Sequence, residues 1–202
     1  MVAAHAAVAS GGGPTPPEER GKTSLRVGTA TRPDSLNPLV ADNRLARSLS
    51  SMLYDELLPY DAAKRPQAGA VQDWKPSGDG RLWLLELRPG MRWSDGARVT
   101  ARDVVHTLNR LRQGPRNRYS RWVEDITLVK RFNQRRVGVR LATPRKKPPE
   151  LPVPLLPRHI WKSVQAADVA TFENDPPIGS GPYSSSALHD GDSLTLTARE
   201  RH

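Results

Sequence analysis

The stretch RLWLLELRPGMRWSDGARVTARDVVHTLNRL, residues 81–111, constrains the fold more than any other part of the chain. Trp83, Leu85 and Leu87 recur with the two-residue period of a strand and share one face, while Leu82 and Leu84 add apolar surface to the other. Pro89-Gly90 suits a type II turn and Ser94-Asp95-Gly96 a second tight turn, so this part reads as a hairpin. Thr100 then stands where an N-cap hydroxyl belongs, with Asp103 as its acidic capping-box partner, and Val104, Leu108 and Leu111 follow at helical spacing. The expected helix covers residues 101–112. Any fold for this chain must accommodate a strand, its turns and a capped helix in immediate succession.

The flanking segments are less regular. Residues 24–30 alternate Leu25, Val27 and Thr29 with Arg26 and Gly28 as a short strand would, and Thr31–Pro38 holds two prolines, Asp34 and Asn37 in one turn-forming loop. Leu45, Leu49, Met52, Leu53 and Leu57 predict an amphipathic helix over about 43–58, ended by Pro59. Residues 66–80 read as irregular and close in the turn Ser77–Gly80. Residues 124–130 and 136–141 predict a second hairpin about the turn 132–135. The Pro- and Lys-rich stretch 143–154 reads as a loop, PRHIWK at 157–162 as a short helix with Pro at its first turn, 171–183 as irregular, and 193–197 as a last strand.

Composition bounds the function classes. With 37% hydrophobic and 5% aromatic residues, 19 prolines and 15 glycines in 202 residues, the ordered core should be modest and the loops numerous. The net charge of +10 would suit an anionic partner, but its Lys and Arg residues are spread from Arg20 to Arg201 without one basic helix, so nucleic acid is not an expected partner. A basic nucleic-acid-binding module stays only as an alternative. The absence of cysteine excludes disulfides, thiolate metal sites and thiol catalysis. No run of about 18 apolar residues occurs. Residues 1–23 read as a disordered N-terminal segment or signal remnant, because the Ala-rich start lacks a basic region and a long apolar stretch and 11–21 resembles a linker.

No catalytic constellation emerges. His5, His106, His159, His189 and His202 share no metal-ligand spacing, and His106, off the apolar stripe of its helix, is expected to be solvated. Gly179-Ser180-Gly181 lacks the five-residue frame of a nucleophile elbow and leads through Pro182 and Tyr183 toward a strand rather than a phosphate-binding helix. Asp95 and Asp103 are explained by turn and cap roles, leaving no acid pair with Glu124 or Asp125. No enzyme activity, metal or cofactor is expected.

The order of these segments resembles the family 5 extracellular solute-binding proteins. SLRVGTATRPDSLNPL is similar to that family's opening strand and D-x-x-S-L-N-P loop, and SSMLYDELLPYD to its Y-D/E-G-L-L helix end. LWLLELRPGMRWSDGARVTARDVVHTLNRL resembles the family's L-R-x-G-V-x-W-x-D-G and T-A-x-D-V run. LPRHIWK and PPIGSGPY resemble L-P-K-H-I/L-W and P-x-G-T-G-P-Y, so the likeness runs in order from about Ser24 to Thr197.

The resemblance implies an α/β fold of the class II periplasmic-binding-protein type, peptide-binding, whose lobes close over a ligand by hinge motion. It implies a first-lobe portion at 24–43 and 172–202 with an inserted α/β subdomain at 44–171. The implied function is the substrate-binding component of an ABC importer, capturing peptides or similar small solutes in the periplasm or otherwise outside the cytoplasm. Its partners would be the solute and the transporter's membrane subunits, and the protein itself would be a monomer. The candidate ligand-binding residues are Thr31, Arg32, Ser35 and Asn37 in the first loop, Trp93 of the W-x-D-G motif, and Gly179, Ser180, Gly181 and Tyr183, with backbone contacts expected where glycine permits close approach. For Trp93, packing under the hairpin is an equal expectation, and for Arg32 and Asp34 loop solvation is expected. Two departures stand out. ARERH ends where the family continues into R-N-x-x-Y and a second lobe, leaving a truncated, non-binding remnant as a further alternative, and the family's aromatic P-Y/F-x-P-F stretch is here PRKKPPELPVP.

Overall fold

The computed structural model describes residues 27–185, 193–200 and 202, and those from Thr31 onward belong to one compact unit. Its elements in chain order are α1 (Arg44–Leu53), β1 (Glu56–Leu58), β2 (Val71–Ser77), β3 (Leu82–Leu87), α2 (Ala101–Gln113), α3 (Ser120–Val123), β4 (Ile126–Arg131), β5 (Arg136–Leu141), β6 (Leu151–Pro154), α4 (Arg158–Trp161), β7 (Tyr183–Ser185) and β8 (Leu196–Ala198). The largest sheet is antiparallel, in the order β2-β3-β5-β4, and two strand pairs, β1-β6 and β7-β8, complete the described strands.

The alternation in β3 decides which face of that sheet is buried. Trp83 and Leu85 lie opposite Val139 and Val137, so their side chains share the covered face with Leu87, Val129 and Leu141. Helix α2 lies over β4 and β5 and inserts Val104, Leu108 and Leu111, all buried. Each such aliphatic group contributes about 1.5–3 kcal/mol when fully buried. Both halves of the capping box form at the start of α2, with Asp103 Oδ2 accepting from the Thr100 amide at 2.8 Å. The two turns before it each place a glycine at positive φ, Gly90 at 74° and Gly96 at 86°, and an isolated antiparallel bridge joins Arg92 to Arg98.

Buried polar groups tie the 155–164 segment to α2. Thr107 Oγ1 donates to the Asp103 carbonyl at 2.8 Å and accepts from the Leu156 amide at 3.0 Å, while Asp103 Oδ1 accepts from the Arg158 amide at 3.0 Å. Arg110 donates to the carbonyls of Trp161, at the end of α4, and Val164, just beyond it, at 2.6 Å each.

Several expectations need correction. The helix expected over 43–58 ends at Leu53, because Tyr54 is extended (φ −126°, ψ 131°) and Glu56–Leu58 become β1. The partner of β1 is β6, inside the stretch expected to be an irregular loop; adjacent Leu57 and Leu58 are both buried once that pairing exists. Residues 71–77, expected to be irregular, form β2. Asp73 and Lys75 face outward and Trp74 inward, and Pro76 is tolerated because β2 is an edge strand. The last strand sits at 196–198 rather than 193–197, where it pairs with residues 183–185. Of the strand expected at 24–30, residues 24–26 lie outside the described residues and 27–30 carry no strand. His106 is half-buried rather than solvated. Its Nε2 makes no hydrogen bond among the described residues, and burial, aided by the Arg110 and Arg158 charges, lowers its pKa to about 4.

Candidate functional site

The loop 31–43 is organised by three side chains. Asn37, fully buried, donates from Nδ2 to the carbonyls of Val169 (2.8 Å) and Phe172 (2.9 Å) and accepts from the Leu39 amide at 2.9 Å. One amide thus satisfies backbone groups of two segments far apart in sequence. Asp34 Oδ2 accepts from the amides of Asp42 and Asn43 at 3.0 Å each, and these and further backbone hydrogen bonds outweigh the upward effect of desolvation and lower its pKa. Asn43 caps α1 through the Ala46 amide and reaches back to the Arg32 carbonyl at 2.7 Å. The loop is thereby fastened to the N-terminal end of α1.

The 179–181 segment is fastened to the other end of that helix. The Gly181 amide donates to the Leu53 carbonyl at 2.9 Å, and Ser180 Oγ accepts from the Asp55 amide at 3.2 Å. A Cβ on Gly179 would stand 1.9 Å from the Leu53 carbonyl oxygen, and one on Gly181 2.6 Å from that of Met52. Glycine is required here because two backbones touch. On its other side the segment exchanges hydrogen bonds with Ser94: the Ser94 amide donates to the Gly179 carbonyl at 2.8 Å, and the Gly179 amide to Ser94 Oγ at 3.2 Å. The W-x-D-G turn and the 179–181 strip are therefore one assembly.

Arg199 locks this assembly. Its guanidinium donates to the carbonyls of Gly181 (2.8 Å), Arg92 (2.7 Å) and Trp93 (3.2 Å), and its amide to that of Pro182 at 2.9 Å. Burial shifts its pKa downward while nearby Asp55 and Asp95 act in the opposite direction. Asp55, with 9% of its side chain exposed, accepts from Arg88 at 2.9 Å and lies 3.0 Å from His202 Nε2. Its Oδ2 and Arg88 Nε have no hydrogen-bond partner among the described residues, and neither has Trp93 Nε1. Burying a polar atom without a hydrogen-bond partner is costly. Asp95 Oδ2 meets His159 Nε2 at 2.6 Å, with the Trp93 indole edge-on to the His159 ring at 6.3 Å.

The candidate residues fall into three depths. Asn37, Trp93, Gly179, Ser180 and Gly181 are buried, Ser35 is half-buried, and Thr31, Arg32 and Tyr183 are exposed. Trp93 is brought beside Gly179 through Ser94, whereas the 31–37 loop and the 179–183 segment attach at opposite ends of α1, which spans about 15 Å for its 10 residues at the usual helical rise. Asp55, Arg88, Ser94 and Arg199 were not expected as site residues, although Asp55 lies in SSMLYDELLPYD, Arg88 and Ser94 in the L-R-x-G-V-x-W-x-D-G stretch, and Arg199 in the closing ARERH. Among the described residues no cluster of three or more His, Asp or Glu could hold a metal ion, and no helix is long and apolar enough to cross a membrane.

Comparison with known proteins gives a consistent set of relatives. The family model described as bacterial extracellular solute-binding proteins, family 5, middle, matches residues 65–201. A Brucella melitensis protein provisionally named a binding protein is 31% identical over 196 residues, covering 88% of this chain and 31% of the relative. The periplasmic oligopeptide-binding protein OppA of Salmonella typhimurium is 31% identical over 111 residues, covering 55% of this chain and 20% of its own. Among solved structures, the Bacillus subtilis oligopeptide-binding protein AppA in complex with a nonapeptide superposes with a TM-score of 0.72 at 23% identity, over 86% of this chain and 36% of that one. A periplasmic oligopeptide-binding protein of Thermotoga maritima gives 0.69 at 25%, over 84% and 32%. The class II periplasmic-binding-protein fold is the one these structures share with the chain. The chain spans about a third of the length of such relatives.

Proposed function

The chain belongs to the bacterial extracellular solute-binding proteins of family 5, and from that membership we propose that it forms part of the substrate-capturing component of an ABC importer, acting outside the cytoplasm. Its work is binding and hand-over to membrane subunits rather than catalysis. Peptides or similar small solutes are the ligand class. An extended peptide of about four to five residues covers the roughly 15 Å between the two ends of α1, at about 3.3 Å per residue.

The observation that carries this reading is the rigid strip at 179–183, fixed by Leu53, Ser94 and Arg199, in a chain whose family match runs through it. The buried residues hold the shape: Asn37 anchors the loop, Trp93 supports the turn, and Gly179, Ser180 and Gly181 let the strip lie against α1. Thr31, Arg32 and Tyr183, with Ser35 partly exposed, are the side chains placed to touch a solute. On the same reading 24–43 and 172–202 belong to the first lobe and 44–171 to the inserted subdomain.

Calorimetric titration of the purified chain with di- to pentapeptides tests the proposal. Saturable binding weakened about tenfold, or about 1.4 kcal/mol, in Tyr183→Ala and Arg32→Ala is the expected result. Binding of peptides that neither substitution alters would remove the assignment of these residues. No saturable binding to any peptide would remove the peptide reading.

A further inference from the structure

The Pro- and Lys-rich stretch after Thr143 helps to build a cationic surface that shares no lining residue with the 179–183 strip. A solvent-open cavity of about 460 Å³ lies between the turn 60–66 and residues 145–150. Tyr60 and Pro148 form part of its wall, and Tyr60 Oη donates to the Pro148 carbonyl at 2.7 Å, joining the two segments. Lys64 stands at the tip of the 60–66 turn at φ 58°, where its amide donates to the Asp61 carbonyl at 3.0 Å. Arg145 is pinned twice: its amide donates to the Gly80 carbonyl at 3.1 Å, and its guanidinium meets Asp125 at 2.8 Å.

The charges in this cavity do not cancel. Lys64, Arg145, Lys146 and Lys147 face a single lining carboxylate, Glu150. Glu150 lies 3.8 Å from Lys64, and Asp125, from outside the cavity, balances Arg145. Lys146 and Lys147 remain, exposed and with no partner among the described residues. They are held between the Arg145 anchor and the Tyr60–Pro148 bond, so little loop ordering is needed to present them together. A concave wall with unbalanced cations focuses the local potential and concentrates counter-ions.

We propose that this cavity is a second binding site, separate from the solute strip, for a phosphoryl anion, with Lys146 and Lys147 as its principal cations and Lys64 at its rim. The phosphoryl group could belong to a soluble polyphosphate or to a lipid headgroup. Lysine suits such a ligand as a compact point charge that does not demand one planar geometry.

The test uses the whole chain at low ionic strength with two probes: inorganic tripolyphosphate in solution, and vesicles of phosphatidylcholine with or without phosphatidylglycerol. The variant Lys146→Gln/Lys147→Gln is compared with Lys75→Gln/Lys130→Gln, which removes the same charge from the outward face of the four-stranded sheet. Thermal midpoints check that both variants stay folded. Binding of either probe, weakened at least tenfold in the first variant and less than twofold in the second, supports the site. Capture of tripolyphosphate alone assigns a soluble ligand, and capture of phosphatidylglycerol vesicles alone assigns a headgroup. Binding of neither probe, or equal weakening in both variants, overturns the proposal and leaves only general attraction to a basic protein.

Discussion

Replacing Asn37 with alanine should destabilise the chain more than its position in a loop suggests. The side chain is 0% exposed and its amide makes three hydrogen bonds, to the carbonyls of Val169 and Phe172 and from the amide of Leu39. Each such bond contributes about 1 kcal/mol net, and a buried backbone group left without a partner costs about 1–3 kcal/mol, so partial relaxation brings the loss to about 3–5 kcal/mol. That is a large share of a domain's usual stability of about 5–15 kcal/mol. With a urea slope of about 2 kcal/mol per molar, the unfolding midpoint should fall by about 1.5–2.5 M. Asn37→Asp provides the control, since it keeps an acceptor for Leu39 but sets a carboxylate oxygen against two carbonyls; it should be at least as destabilising despite its matching shape. Equilibrium urea titrations followed by tryptophan fluorescence read both values. A midpoint shift of Asn37→Ala below about 0.3 M would refute the reasoning, because the loop would then hold without its buried amide.

Other outcomes follow from the same contacts. Gly179→Ala should cost more than about 3 kcal/mol, because the new Cβ meets the Leu53 backbone carbonyl, whereas Gly138→Ala, whose nearest neighbour at 2.5 Å is the exposed Phe132 ring, should stay within about 1 kcal/mol; chemical denaturation of the two variants compares them directly. His106 has a folded-state pKa of about 4 against an ordinary 6.5, so its neutral form is favoured and the stability it permits is complete above about pH 6.5 and lost as pH falls toward 4. That gap corresponds to at most about 3 kcal/mol, and partial exposure reduces it to about 1–2 kcal/mol. The wild-type loss between about pH 7 and pH 4.5 should therefore exceed that of His106→Gln by about this amount, and parallel pH profiles would count against the assignment.

Much of the fold was legible in the sequence because its signals are local. The alternation in 82–87, the Thr100–Asp103 capping pair and the second hairpin each depend on residues a few positions apart, and each is found where it was expected. Strands β1, β2 and β6 were not legible for the opposite reason. Glu56–Leu58 has helical periodicity and Leu151–Pro154 looks like a loop until the two lie side by side, and β2 carries polar residues and a proline that only an edge position permits. The motifs at 31–37, 93–96 and 179–183 were visible as motifs, but not which residues would be buried. That Asn37 holds Val169 and Phe172, that Gly179 touches Leu53, and that Arg199 joins Gly181 to Arg92 are relations between segments from 18 to 135 residues apart. Composition, local periodicity and capping chemistry were determined by the sequence alone, because propensity acts over a few residues. Which glycines must be glycine, which polar side chains are buried, and which lysines share a cavity were decided only by tertiary structure, because burial and hydrogen-bond satisfaction depend on what the rest of the chain brings alongside.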